Sequence, residues 1–255
     1  MLKPHNNNNH KSDSSMISKP SIAALGLGIA LFSSTTLADI SANISLASDY
    51  RFRGISQTGE ELAVQGGFDW FHDSGFYAGS WASNVDFFPT GSPLDDGASI
   101  ELDLWAGYTG SVSDILSWDA TLYYYQYPGD DIDQDFAELG LGLNYGPLRI
   151  AYWYADDYLG LDLNNQYLEA NYSYELPQQF GLELHLGSSF GEVYDDPATL
   201  GLEEYIDYSI SLTRNIAGLD MKLSWMDTDI GNGFSVNSGH LANQDALVFS
   251  VRKTF

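Results

Sequence analysis

From Ile40 to the end of the chain, apolar residues recur at every second position in segments of about eight to eleven residues, rich in Tyr, Leu, Ile, Phe and Trp. Twelve such segments begin near Ile40, Leu62, Phe76, Ser99, Trp118, Phe136, Leu148, Gln166, Leu182, Tyr205, Met221 and Ala246. A period of two places successive side chains on opposite faces, which is the geometry of a strand. No segment beyond residue 38 sustains helical spacing, so the pattern predicts an all-β chain of about twelve strands.

The two faces differ in chemistry. On the clearer strands one phase is apolar: Ile40, Ile44 and Leu46; Ile100, Leu102 and Leu104; Leu139, Leu141 and Leu143; Ile206, Tyr208, Ile210 and Leu212. The other phase carries the charges Asp49, Arg51, Arg53, Asp69, Glu101, Asp103, Asp119, Glu138, Arg149, Glu169, Glu183, Asp207, Lys222 and Arg252. Only Lys253, near the chain end, departs from this rule. At mid-bilayer a lipid-facing Arg or Lys costs about 2 to 4 kcal/mol, whereas one facing a wet lumen costs little. The segregation therefore marks the charged phase as the wet one, and those fourteen residues as pore-lining candidates.

The connections alternate as well. After the even-numbered segments they are HDSG, TGSVSDILS, GP, ELPQQFG and RNIAGLD, mostly short. After the odd-numbered ones they are mostly longer and acidic, for example PGDDIDQD and GEVYDDPATLGLEE, and six of them hold 20 of the 34 acids that follow residue 38. TGSVSDILS is as long as the shortest acidic connection, so acidity separates the sets better than length does. Short turns at one end, long loops at the other and an even strand count predict a transmembrane antiparallel β-barrel. With the short turns periplasmic, the even strands should end in lipid-facing aromatics, and Trp70, Tyr108, Tyr145, Tyr174 and Phe255 do so on five of the six. The competing reading, a soluble barrel or sandwich, would put the apolar phase in a core and needs no aromatic belts.

Residues 16 to 38, MISKPSIAALGLGIALFSSTTLA, join a lysine, a short apolar run and a Thr-Leu-Ala cleavage pattern. They read as a cleaved signal peptide behind a polar extension, with Met1 or Met16 as the start. The expected organisation is thus 1–38 as extension and signal peptide and 39–255 as the barrel. The latter carries 7 basic and 34 acidic residues, a formal charge of −27, which disfavours nucleic acid as a partner. The absence of cysteine excludes a disulfide-stapled fold.

The stretch SDYRFRGISQ (Ser48 to Gln57) resembles the hallmark of the TorF family, a proteobacterial group of outer-membrane proteins to which a porin role is ascribed. Also similar are VQGGFDWFHDSGFYAGSWASNVDF (Val64 to Phe87), ELDLWAGYTG (Glu101 to Gly110), YLEANYSYELP (Tyr167 to Pro177) and the DTD of Asp227 to Asp229. The resemblance covers essentially the whole of 39–255. It implies a porin-like channel for small hydrophilic solutes, embedded in outer-membrane lipid and lipopolysaccharide, with long loops extracellular and both mature termini periplasmic. The ending LVFSVRKTF resembles the C-terminal signal through which the barrel-assembly machinery takes up such chains.

Nine lumen acids against five bases predict a preference for cations. Arg51 and Arg53, at the outer end of the first segment, read as wall-stiffening ion pairs or as one side of a constriction; the two roles are compatible. Trp105, Tyr123, Tyr125, Trp153 and Tyr167 share the lumen phase and predict a partly filled interior. DDIDQDFAE lacks the glycine and distant glutamate of a calcium loop and reads as a solvated acidic loop. His72, His185 and His240 fall at different heights, and the best enzyme-like grouping, His185 with Glu183 and Ser189, reads as lumen polarity. No phosphate loop, metal-ligand spacing or cofactor motif is present, so no cofactor is expected. The alternatives are a non-conducting barrel acting through its acidic loops as an adhesion or interaction module and, more remotely, an outer-membrane hydrolase.

Overall fold

A computed structural model describes residues 38–92, 95, 97–196, 200–231 and 239–255. The expected signal peptide lies outside them apart from Ala38, as do parts of three acidic loops. All twelve expected segments are strands: β1 (Ala38–Ala47), β4 (Ala63–His72), β5 (Phe76–Asn84), β6 (Ile100–Ser113), β7 (Leu116–Gln126), β8 (Phe136–Tyr145), β9 (Leu148–Ala155), β10 (Asn165–Leu176), β11 (Phe180–Phe190), β12 (Tyr205–Ile216), β13 (Leu219–Thr228) and β14 (Ala246–Thr254). Each pairs antiparallel with its neighbours in sequence order, and β1 closes the barrel against β14, with Asn43 opposite Thr254 and Ala47 opposite Ser250. Two further strands, β2 (Arg51–Phe52) and β3 (Ile55–Ser56), form a separate two-stranded sheet.

The connections sort as the pattern predicts. β4–β5, β6–β7, β8–β9, β10–β11 and β12–β13 are joined by turns of two or three residues at the end that also holds Ala38 and Thr254. The remaining connections all leave the opposite end. TGSVSDILS is mostly strand, because β6 and β7 continue through a bulge at Ser111–Ser113 and leave only Asp114 and Ile115 as turn.

The outward phase is apolar and uncovered. Ile40, Phe68, Leu122, Leu141, Ile210 and Leu247 are exposed around the circumference. Trp70, Tyr108, Tyr145, Tyr174 and Phe255 are exposed too, on the strand ends at the short-turn side. Lys253, the exception to the phase rule, reaches Gly218 O at 3.0 Å, bringing its ammonium to the turn at the barrel rim. A belt of this extent is too large to be left in water and suits hydrocarbon. The inward phase holds the buried charges, and an apolar cluster including Val85, Phe87, Tyr125, Phe136, Tyr158 and Tyr205 fills the long-loop end.

The structure corrects one expectation here. Asp49, Arg51 and Arg53 do not extend the first wall strand, which ends at Ala47. The chain instead turns inward as the β2–β3 hairpin, with Arg51 paired to Ser56 and Phe52 to Ile55. The two-residue turn, Arg53-Gly54, has positive φ at both positions (48° and 84°), as the tight hairpin turns that match strand twist require.

Candidate functional site: the lumen and the hairpin inside it

The hairpin is built on Asp49. Its Oδ1 accepts from Ser56 Oγ (2.6 Å) and Thr58 Oγ1 (3.2 Å), and its Oδ2 from Arg51 Nε (2.7 Å). Arg51 also donates to Gly54 O, to Gln244 O in the last loop (2.7 Å) and to Glu60 (3.2 Å). Arg51 therefore holds the hairpin and the last loop together, rather than stiffening a wall strand as one of the sequence readings has it.

Arg53 does something different. Its Nη2 lies 2.8 Å from both carboxylate oxygens of Glu138 on β8, and its guanidinium stacks 4.2 Å from the ring centre of Tyr167 on β10. In the closed ladder β8 and β10 flank β9, the strand opposite β1. A segment leaving β1 thus crosses the lumen to reach the far wall. Burial works to lower the Arg53 pKa and the facing Glu138 to raise it, and the carboxylate prevails, keeping the guanidinium firmly charged. Phe52 packs edge-on against Tyr125 on β7 (5.8 Å) and its own face lies 4.7 Å from the Arg53 guanidinium. Ile55 joins the apolar cluster, and a Cβ on Gly54 would overlap Thr228 Cγ2 on β13, so beside the native threonine glycine is favoured there by contact as well as by φ.

The other lumen charges form pairs along the wall. Arg149 on β9 meets Asp119 on β7 (Nη2–Oδ1 2.9 Å) beneath Asn144. Lys222 on β13 meets Glu183 on β11 at 2.7 Å. Asp207 on β12 accepts from Tyr167 and lies 2.8 Å from His185 Nε2, while His185 Nδ1 lies 2.7 Å from Asn171. Glu169 accepts from Trp153 Nε1 (3.0 Å) and Asn171 (2.9 Å). Asp69 on β4 sits in the field of Arg252 on β14.

Glu101 and Asp103, neighbours on the inner face of β6, differ from the rest. Each is almost wholly buried and receives one long bond from a tyrosine, Tyr50 to Glu101 and Tyr123 to Asp103, both 3.3 Å. The two carboxyl groups are hydrogen-bonded to each other, and no ion pair among the described residues includes either. Burial pushes the Tyr50 hydroxyl well above the ordinary phenol value, with Glu101 and Asp103 adding to the effect, so it remains a donor.

At the short-turn end the lumen widens into a cavity of about 890 Å³ lined by Asn144, Arg149, Asn171, Glu175, Glu183 and Thr213. The histidines lie apart: His72 bonds Ser74 in a turn, His240 faces Asp86 in the loops, and His185 is held by Asp207, Tyr167 and Asn171. Glu183 points to Lys222, so the sequence grouping of His185 with Glu183 and Ser189 does not assemble as a catalytic set. In DDIDQDFAE, Asp130 and Asp135 accept backbone bonds from Gln134 and Tyr127, shaping the loop.

Sequence reasoning missed Tyr50, Phe52, Ile55 and Thr228, which dock the hairpin. The available signal was Phe52-Arg53-Gly54-Ile55, a two-residue turn ending in glycine between apolar residues, but arginine is an unusual first turn residue.

The family described as "Bacterial protein of unknown function (Gcw_chp)" matches residues 33–255. No curated protein matches the chain. Among solved structures, the KdgM porin is similar with a TM-score of 0.54 at 9% identity, covering 84% of this chain and 99% of that one. The NanC porin is similar with a TM-score of 0.52 at 8% identity, covering 85% and 98%. KdgM has also been solved in complex with disordered oligogalacturonate (TM-score 0.53, 10% identity, covering 86% of this chain and 99% of that one).

Proposed function

This chain belongs to the Gcw_chp family, and we propose that it is an outer-membrane, porin-like channel for passive diffusion of small hydrophilic solutes, with a preference for cations. The observation that carries the reading is the segregation of side chains across a closed twelve-stranded wall, apolar outside and charged inside. A soluble protein gains nothing from that inversion. The narrower identity, a TorF-type porin, rests on the Ser48–Gln57 stretch and its companions.

In this reading the fourteen charges named from the sequence line or constrict the conduit. The wall carries Asp69, Glu101, Asp103, Asp119, Glu138, Arg149, Glu169, Glu183, Asp207, Lys222 and Arg252, and the hairpin supplies Asp49, Arg51 and Arg53. Galacturonate, the sugar in the KdgM complex, is an acid. Nine acids against five bases point this lumen toward cations instead. The acidic loops face outward among lipopolysaccharide, both mature termini are periplasmic, and the C-terminal strand is the handle for barrel assembly.

The test is the reversal potential in planar bilayers under a salt gradient, for the refolded chain and for a variant with Tyr50–Gln57 replaced by a short Gly/Ser link. Conductance steps with cation selectivity are expected. Silence from both, with the barrel shown to be folded, would overturn the channel. The docked hairpin favours a second reading, a closed barrel acting through its acidic loops, which that silence would leave standing.

A further inference from the structure

We propose that the Ser48–Thr58 segment is a gate: its hairpin closes the lumen when docked on the far wall, and the pore opens when it withdraws. The inference rests on the channel reading and adds how that channel is regulated.

Three observations carry it. First, the hairpin is a sheet of its own, with no ladder pairing to the wall. All twelve wall strands are paired without it, so the barrel stays closed on itself when the hairpin withdraws, a movement that breaks its backbone bonds in the loops, Ser56 N to Ala242 O (2.8 Å) and Asp86 N to Gln57 O (2.7 Å). Second, it touches five of the twelve wall strands: Tyr50 reaches Glu101 on β6, Phe52 reaches Tyr125 on β7, Arg53 reaches Glu138 on β8 and Tyr167 on β10, and Gly54 abuts Thr228 on β13. A docked hairpin thus stands across the path between these strands.

Third, the docking is poised rather than overwhelming. Arg53 occupies a left-handed conformation that a non-glycine residue adopts at a free-energy cost, and its Nη1 is buried without a partner. A buried ion pair gains little over its separated, hydrated partners, because desolvation offsets attraction. The aromatic contacts tip the balance toward docking, and a modest change in them or in the ion pair reverses it.

A cross-link tests this directly, because the chain has no cysteine. A Cβ on Gly54 lies 3.8 Å from Thr228 Cβ, a separation suited to a disulfide; Thr228→Cys removes the Cγ2 that this Cβ would overlap, leaving a 3.1 Å approach to Asp207 Cβ and a positive φ like that of Arg53 as the strain. In planar bilayers the oxidised Gly54→Cys/Thr228→Cys chain should lose its conductance steps, and reductant should restore them. Arg53→Ala, with native backbone elsewhere, should raise the open fraction at least tenfold, and it decides the matter alone if the double cysteine variant does not fold. Equal conductance in oxidised and reduced protein, or an unchanged open fraction in Arg53→Ala, overturns the gate and leaves the channel intact. If the chain with the Gly/Ser link in place of Tyr50–Gln57 is also silent, the channel itself falls.

Discussion

Removing Glu138 isolates the contact that holds the hairpin to the far wall. Glu138 is 1% exposed, and both its oxygens take the Arg53 Nη2 at 2.8 Å. Without it, an Arg53 side chain only 5% exposed, with Nη1 already unpartnered, keeps the rings of Tyr167 and Phe52 but no acceptor. Breaking a buried pair by deleting one partner costs about 3 to 5 kcal/mol. At about 1.4 kcal/mol per tenfold, the lower figure shifts the docking equilibrium more than 100-fold. Ser56 reports that shift, because it is fully buried while the hairpin is docked and no native cysteine competes. In Ser56→Cys protein refolded into vesicles, a soluble maleimide should react slowly; Glu138→Ala should speed the reaction about 100-fold or until it reaches the free-thiol rate. Glu138→Gln keeps a neutral acceptor and should give a smaller rise. A change under threefold in Glu138→Ala would refute the claim that an Arg53 left without its acceptor opposes docking.

The wall offers contrasting cases. Asp119→Ala strands the buried Arg149 and should lower the urea stability of the folded barrel by about 3 to 5 kcal/mol, whereas replacing both residues by apolar ones should lose much less; equal losses would show that the pair is not coupled. Leu141→Arg, on the exposed face of β8, should cost about 2 to 4 kcal/mol of stability in lipid, and no loss there would argue that this face does not meet hydrocarbon. Glu101→Gln with Asp103→Asn removes two adjacent buried carboxylates that lack a cationic partner, so the urea midpoint should rise; a fall would show that the charges are compensated.

The wall of this protein and its partly filled interior, with Tyr125, Trp153 and Tyr167 buried inside, were legible in its sequence; which groups meet across the lumen was not. Each wall strand pairs with the strands next to it in the chain, and alternation assigns every side chain to one face, so local pattern and turn length sufficed to place Leu141 outside and Asp119 inside. Even the irregular TGSVSDILS continued the rule once its residues were paired. The first loop obeyed a different constraint. Asp49, Arg51 and Arg53 kept the alternation of β1, and the one local sign of a hairpin, Arg53-Gly54 between apolar residues, was weak because arginine is an unusual first turn residue. What draws them inward is Glu138, 85 positions away from Arg53, together with Tyr125, Tyr167 and Thr228. Those groups surround a common point only after β1 has closed on β14 and fixed the diameter. Sequence alone determined the surface that separates lipid from water; closure of the barrel decided which charges meet across the space inside, because that distance is a property of the whole ring and of no segment within it.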